Sequence, residues 1–330
     1  MKKEKKNKTF RILYLLLLIL ISGVMLATST YAWFTVNRIV YVDSLNVRIE
    51  AQGGIEISTD GTTWKNKIDS DDIKGASTNY PASINQLPSK MEPVSTGGLV
   101  DNGKIMMYYG TATGNSEGDY ILTAIRDIET SGNEDGKFIA FDLFLKVDNG
   151  GALYLTNESG ATYTGTSTPG IENAIRFAYL IEGNVPAGSG LGTIQSLTSN
   201  NNDDVYIWEP NYDVHSLTAI KNAYDTYGIT VTQSGNNKIE YDGVISDIQI
   251  NDNVLLKEAN SNKHTNFFKQ VDIDYATVAG FNNYEQIFNV GAGITKIRVY
   301  IWLEGQDVDC ENNSAIGNID FKFQFSTNPS

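Results

Sequence analysis

Cysteine is all but missing from this chain. Of 330 residues only Cys310 is one, which rules out an internal disulfide framework. A chain of this size buries enough apolar surface to do without one. Histidine is nearly as scarce. His215 and His264 lie far apart, which excludes the H-E-x-x-H and paired Cys/His zinc patterns. No G-x-S-x-G elbow occurs, so a Ser-His-Asp hydrolase would have to be built around one of those two histidines without that motif. The Ala/Leu/Lys/Glu mixture of helical proteins is thin, and Gly, Asn, Thr and Tyr stand in its place. Strands separated by polar turns are the natural outcome.

Positive charge is also short. The chain holds 25 basic and 39 acidic residues, and six of the basic ones fall in residues 1–32 beside a single acid. The remainder carries 19 against 38, a net charge of −19. Such a surface repels nucleic-acid phosphate, so DNA and RNA are excluded as partners. It also repels anionic lipid and polyanionic wall polymers unless divalent cations bridge them.

The apolar residues that are present include one long run. MKKEKKNKTFR is followed by the uncharged stretch Ile12–Ala27, and then by TSTYAWFTVNRIV over residues 28–40. A basic leader, an apolar segment and small residues make an export signal. The basic flank stays cytoplasmic, which places residues after 34 outside the cell. Thr30-Tyr31-Ala32 fits the small-x-small rule, with the cut between Ala32 and Trp33. The same residues read equally as an uncut anchor. Extending the run through Thr28–Phe34 reaches the ~20 residues that span a bilayer. Tyr31, Trp33 and Phe34 then form an interfacial aromatic belt, and membrane contact is confined to residues 10–34. The C-terminal FQFSTNPS has neither a sortase motif nor an anchor helix, so attachment is expected at the N-terminus or through partners.

Beyond the leader, period-2 patterns dominate. Leu45, Val47 and Ile49 alternate after a phase shift near Asp43-Ser44. Asp60-Gly61 signals a turn. Residues 65–119 are polar and turn-rich, and read as an insertion of long loops with short strands. Lys137–Leu155 reads as the strongest hairpin, with Ile139, Phe141, Leu143, Leu145 and Val147 on one apolar face and a turn at Asp148–Gly151. Ala174–Ile181 is a further strand, with Arg176 on its less apolar face. Ile297/Val299/Ile301/Leu303 and Ile319/Phe321/Phe323/Phe325 alternate as strands with one buried face. VYIW occurs at 205–208 and again at 299–302, two similar strands rather than a domain repeat. One helix is expected over His215–Tyr227, with Leu217, Ile220 and Tyr224 as its apolar stripe and Gly228 as its stop. The expected fold is all-β: a large antiparallel, jelly-roll-like β-sandwich over 33–330 with loop insertions and one short helix, preceded by a signal or anchor helix over 1–32.

Candidate chemistry is sparse. Cys310 sits in GQDVDCENN, where Asp307, Asp309 and Glu311 raise a thiol pKa rather than lower it, so a structural, partly buried thiol is expected. Asp69, Asp71 and Asp72 lack EF-hand spacing and read as a solvated acidic loop rather than a Ca²⁺ site. Paired carboxylates carry no information in so acidic a chain. No catalytic residue, cofactor or metal is therefore expected. Trp64, Trp208 and Trp302 offer either a sugar-stacking platform or core packing.

The junction TSTYAWFTVN resembles the Thr-Tyr-Ala-Trp/Tyr-Phe-Thr end of SipW-type signal peptides on exported matrix proteins of Gram-positive bacteria, including the TasA and camelysin family. The resemblance implies cleavage near Ala32 by a dedicated signal peptidase of SipW type. It further implies a jelly-roll fold and assembly into extracellular fibres, the N-terminal segment completing a neighbour's sheet. KFIAFDLFLKV, AIRFAYLIEG, VYIWEPN and IRVYIWLEGQDVDCEN are similar to stretches of large exported Firmicutes proteins with the same leader. Trp33, Phe34 and Val36 would then form an apolar tail that adds to a sheet edge. The expected role is a non-catalytic structural or adhesive component of the cell surface or biofilm matrix, its partners being further copies or other matrix proteins. The alternative is a tethered or secreted carbohydrate-binding module in which the tryptophans stack on glycan.

Overall fold

A computed structural model describes residues 46–114, 120–132, 134–164, 170–224, 230–233, 238–252, 254–255, 262–275, 285–310 and 318–328. The leader, the Ala32–Trp33 junction and the tail Trp33, Phe34 and Val36 lie outside them. No helix among the described residues is long and apolar enough to cross a membrane.

The chain is mostly β. In order come β1 (Asn46–Ala51), β2 (Glu56–Ser58), β3 (Lys67–Asp69), β4 (Asn85–Gln86) and β5 (Val94–Ser95). Then follow β6 (Val100–Asp101), β7 (Lys104–Ile105), β8 (Met107–Gly114), β9 (Tyr120–Asp127) and β10 (Ile139–Val147). The middle of the chain gives β11 (Gly151–Leu155), β12 (Gly160–Thr164), β13 (Ile175–Val185) and β14 (Val205–Trp208). The last third gives β15 (Asp242–Val244), β16 (Phe268–Gln270), β17 (Glu285–Val290), β18 (Gly293–Leu303) and β19 (Asn318–Ser326). Short helices occupy Ser70–Gly75, Leu191–Gln195 and Leu217–Asn222.

Two six-stranded sheets form the frame. The first runs β17-β11-β19-β1-β3, with β12 also on β19. The second runs β14-β13-β18-β10-β2, with β4 also on β10. Among the described strands every ladder is antiparallel except β1–β19, which is parallel over six residue pairs, Asn46↔Asp320 to Ala51↔Phe325. Smaller sheets pair β5-β8-β9, β15-β16 and β6-β7.

The alternation in the sequence fixes what goes inside. Odd-numbered residues of β10 and β19, and those of β18 from Ile297 onward, enter one core, together with Val47 and Ile49 of β1 and Phe177 of β13. That core draws on both six-stranded sheets. Phe177 shows how they meet: its ring stacks on Trp208 at 5.1 Å and meets Phe323 of the other sheet edge-on at 4.9 Å.

The hairpin expected over 137–155 is not one. β10 pairs with β18, whereas β11 pairs with β17 and β19 in the other sheet. The two arms are adjacent in space to 285–303 instead. Val147 faces Gly293 and Gly151 faces Val290, so β10–β11 and β17–β18 form one long ribbon that passes from sheet to sheet at a shared corner. Glycine makes that corner. A Cβ on Gly150 would lie 2.9 Å from the Ala292 nitrogen, and Gly293 has φ +105. Asp148–Gly151 therefore bends the chain from one sheet to the other rather than folding it back as a hairpin turn.

A second departure concerns the other face of the second sheet. All eleven residues of β18 are buried, so it does not have a solvent face. Ala140, Ala178, Leu180, Tyr300 and Trp302 pack there under Ile84, Val94, Ile105 and Met107 from the inserted segments. Lys296 and Arg298 made this face look solvated in the sequence, but both are buried in ion pairs.

The segment 65–119, expected as long loops with short strands, contains the eight-residue β8, which pairs over its whole length with β9 just beyond it. The Gly, Thr and Ala residues of β8 give no clean alternation. The helix also turns a different face inward. Ser216 caps it by accepting from the Ala219 N–H, and Ala219 and Ala223 are buried against Val231, Val244 and Val254. Leu217 is 71% exposed and Tyr224 64%. Two alanines four apart let the helix approach more closely than the Leu/Tyr stripe would.

Candidate functional site

The two VYIW tetrapeptides lie on opposite edges of β13. Trp208 is paired with Phe177, but Trp302 is paired with Arg176, one residue further along. Paired residues in a ladder share a face. The one-residue offset therefore sends Trp208 into the core between the sheets and Trp302 to the opposite side. Trp302 is fully buried, and its indole N–H donates to Glu304 Oε2 at 2.9 Å. Trp208 is 1% exposed. Trp64 is half-buried beside Phe144 and Ile194, with the Lys146 ammonium 5.3 Å above its ring. The three indoles thus occupy separate environments and do not form one platform.

Two buried ion networks occupy the covered face of the second sheet. In the first, Arg298 holds Asp142 at 2.7 Å and Glu182 at 3.1 Å, and its NH1 donates to the Gly103 carbonyl at 2.7 Å. Lys296 holds Glu182 at 2.6 Å and donates to the Gln195 and Leu197 carbonyls. Tyr300 donates to Glu129 at 2.6 Å and accepts from the Ile105 N–H. These contacts pin residues 103–105, 129 and 195–197 onto β10, β13 and β18. Sequence reading missed them because no local motif links residues so far apart.

The second network begins at Arg176, which pairs with Glu209 at 3.0 Å and with Asp307. The neighbouring Asp309 accepts from His215 Nδ1 at 2.7 Å and from the Ser216 N–H at 2.9 Å. The His215 and Asp309 side chains are 4% and 1% exposed, so this His–Asp pair is closed to solvent. Cys310 follows it and is wholly buried in the core between the sheets. Asp307 and Asp309, which precede the cysteine, are thus ends of structural pairs, while Glu311 lies outside the described residues. Asp69 and Asp72 are likewise engaged. Asp69 caps the helix at Ser70–Gly75 by accepting from the Asp71 and Asp72 N–H groups, and Lys65 pairs with Asp72. Among the described residues, no group of three or more His, Cys, Asp or Glu side chains is placed to hold a metal ion.

These networks make stability depend on pH. Burial, reinforced by Asp142 and only partly offset by Arg298 and Lys296, pushes Glu182 up to about 7. Burial pushes Glu209 up to about 8, against the pull of Arg176. Glu304 rises to about 7, again by burial, against the Trp302 hydrogen bond and Arg176. Burial raises Glu129, Glu172 and Asp309 as well. A carboxyl whose folded pKa is raised binds protons more tightly in the native state, so stability falls as pH rises from the ordinary glutamate value toward the folded one. The denaturation midpoint should therefore fall between about pH 5 and pH 8. A midpoint that climbs steadily over that interval would show that these carboxyls are ionised at no cost.

Among the described residues, β1 is the first strand. Val47 and Ile49 are buried, β19 lies along one edge and β3 along the other. Asn46 Nδ2 donates to Asp320 Oδ1 at 3.1 Å at the start of the ladder. Whatever residues 33–45 are attached to is thus coupled to an interior strand. No family model, curated protein or solved structure matches the chain.

Proposed function

We propose that the protein is an exported, non-catalytic structural or adhesive component of the bacterial cell surface or extracellular matrix, held or assembled through the residues that precede β1. In this reading the two six-stranded sheets are the leaves of a jelly-roll-like sandwich. The leader directs export, and the segment from Trp33 is either the end of a membrane anchor or, once cut after Ala32, a strand that adds to another subunit.

The observation that carries the reading is the parallel β1–β19 ladder. The N-terminal segment feeds an interior strand clamped on both edges. A pull on that segment against the end of β19 loads six residue pairs together, in shear. A terminal edge strand would instead peel one bond at a time. This is the arrangement a tethered or fibre-forming subunit needs.

The first test is the N-terminal residue of protein recovered from the native surface and medium. A mature chain beginning at Trp33 makes assembly the next question, and removal of Trp33–Asn37 should then abolish its self-association in sedimentation. Unchanged association would sink the assembly role of Trp33, Phe34 and Val36. Retention of Met1 would make Ile12–Phe34 an anchor and leave the adhesive reading standing alone.

A further inference from the structure

A cavity of about 430 Å³ opens beside β14, between that strand, residues 269–274 and Ile287 of β17. Its far wall is tied to β14 by backbone: Asp274 N–H donates to the Ile207 carbonyl at 2.8 Å, and Glu209 N–H donates to the Asp274 carbonyl at 3.1 Å. The floor is apolar, made by Trp208, Ile273 and Ile287. Exposed Asp203, Asp272 and Lys269 stand on the rim.

Two tyrosines set the chemistry. Tyr206 and Tyr179 are direct partners across the β13–β14 ladder and so leave the same face. Tyr206 is 37% exposed as a residue, and its ring centroid lies 5.5 Å from that of Phe288. It offers a fixed aromatic face. Tyr179 is fully buried and lines the cavity, yet its hydroxyl has no hydrogen-bond partner among the described residues. A buried hydroxyl left unpaired costs about 1–3 kcal/mol. That cost disappears when a bound molecule supplies the partner.

We propose that this cavity is a binding site for a neutral saccharide, which stacks on Tyr206 and hydrogen-bonds to Tyr179. The ligand class follows from the mixture of groups. Carboxylates accept, Lys269 only donates, and the phenol does both. A polyol answers all three without bringing charge. An aliphatic ligand leaves them unpaired, an anion meets two aspartates on the rim, and a polyamine has nothing to accept from Lys269. The volume falls within the ~300–1,000 Å³ range of small-ligand sites. The site stands apart from the β1–β19 clamp, so its failure would leave the assembly reading untouched.

The test is calorimetric titration of the full chain in a detergent free of sugar. The probes are glucose, galactose, N-acetylglucosamine and their disaccharides, with spermidine as the cationic control. At least one saccharide should bind at millimolar concentration or below, and Tyr179→Phe should weaken it about tenfold. Because that substitution removes only an unpaired hydroxyl, its thermal midpoint should equal or exceed the parent's, which separates lost binding from lost folding. Tyr206→Ala should weaken binding as well. Absence of saccharide binding, equal affinity in Tyr179→Phe, or binding of spermidine alone would each overturn the proposal.

Discussion

Arg298→Ala should lower the unfolding free energy by about 3–5 kcal/mol. The guanidinium is the hub of the first network, with its side chain 8% exposed. It meets Asp142, Glu182 and Glu129 and donates to the Gly103 carbonyl. Removing it strands two carboxylates, Asp142 and Glu182, in a dry layer. Lys296 then has to neutralise both from one point, 2.6 Å from Glu182 but 3.8 Å from Asp142. The penalty arises from uncompensated charge rather than lost attraction. Arg298→Met with Asp142→Leu should therefore recover much of the loss, since the Lys296–Glu182 pair stays intact. Urea denaturation monitored by far-UV circular dichroism reads both variants. A loss below about 1 kcal/mol for the single substitution would mean that water reaches the network.

Phe177→Ala should cost a similar amount, about 3–5 kcal/mol, by a different mechanism. Phe177 is the point where Trp208 of the second sheet and Phe321 and Phe323 of the first converge on one ring. Truncation opens a cavity between two sheets that cannot close without shifting a whole strand. Phe177→Leu refills part of that space and should recover part of the loss. The tryptophans report the location. Trp208 emission should shift to the red, whereas Trp302, on the opposite face of the second sheet, should be unaffected. Comparison of Trp208→Phe and Trp302→Phe backgrounds separates the two signals. A red shift carried by Trp302 instead would contradict the one-residue offset of the two VYIW strands.

That offset marks where sequence reading stopped. Alternation identified β10, β18 and β19 and their inward residues, because period 2 is a local property. It even set Arg176 apart from the apolar face. The pairing partners were not legible. Whether Asp148–Gly151 folds β10 back or passes it to another sheet depends on Ala292 and Val290, far away in the chain. The second buried face was hidden for a related reason. Asp142, Glu182, Lys296 and Arg298 look solvated one at a time and become core residues only as a set. Leu217 and Tyr224 failed in the opposite sense, since apolar residues at helical spacing were exposed while Ala219 and Ala223 did the packing. The cavity beside β14 gave no signal beyond Trp208 itself, because its walls come from five separate stretches of chain.

The β1–β19 ladder also governs when the fold can finish. Asn46 and Asp320 are 274 residues apart, so β1 is made well before the strand it pairs with. Until β19 is made, β1 has only β3 beside it, and its other edge stays open as a template. Contacts this distant in sequence make for slow folding. Two chains that meet during that interval can exchange first strands, each completing the other's sheet with the same six pairs. Crowding of chains during that interval then bears on the fraction that folds as single molecules.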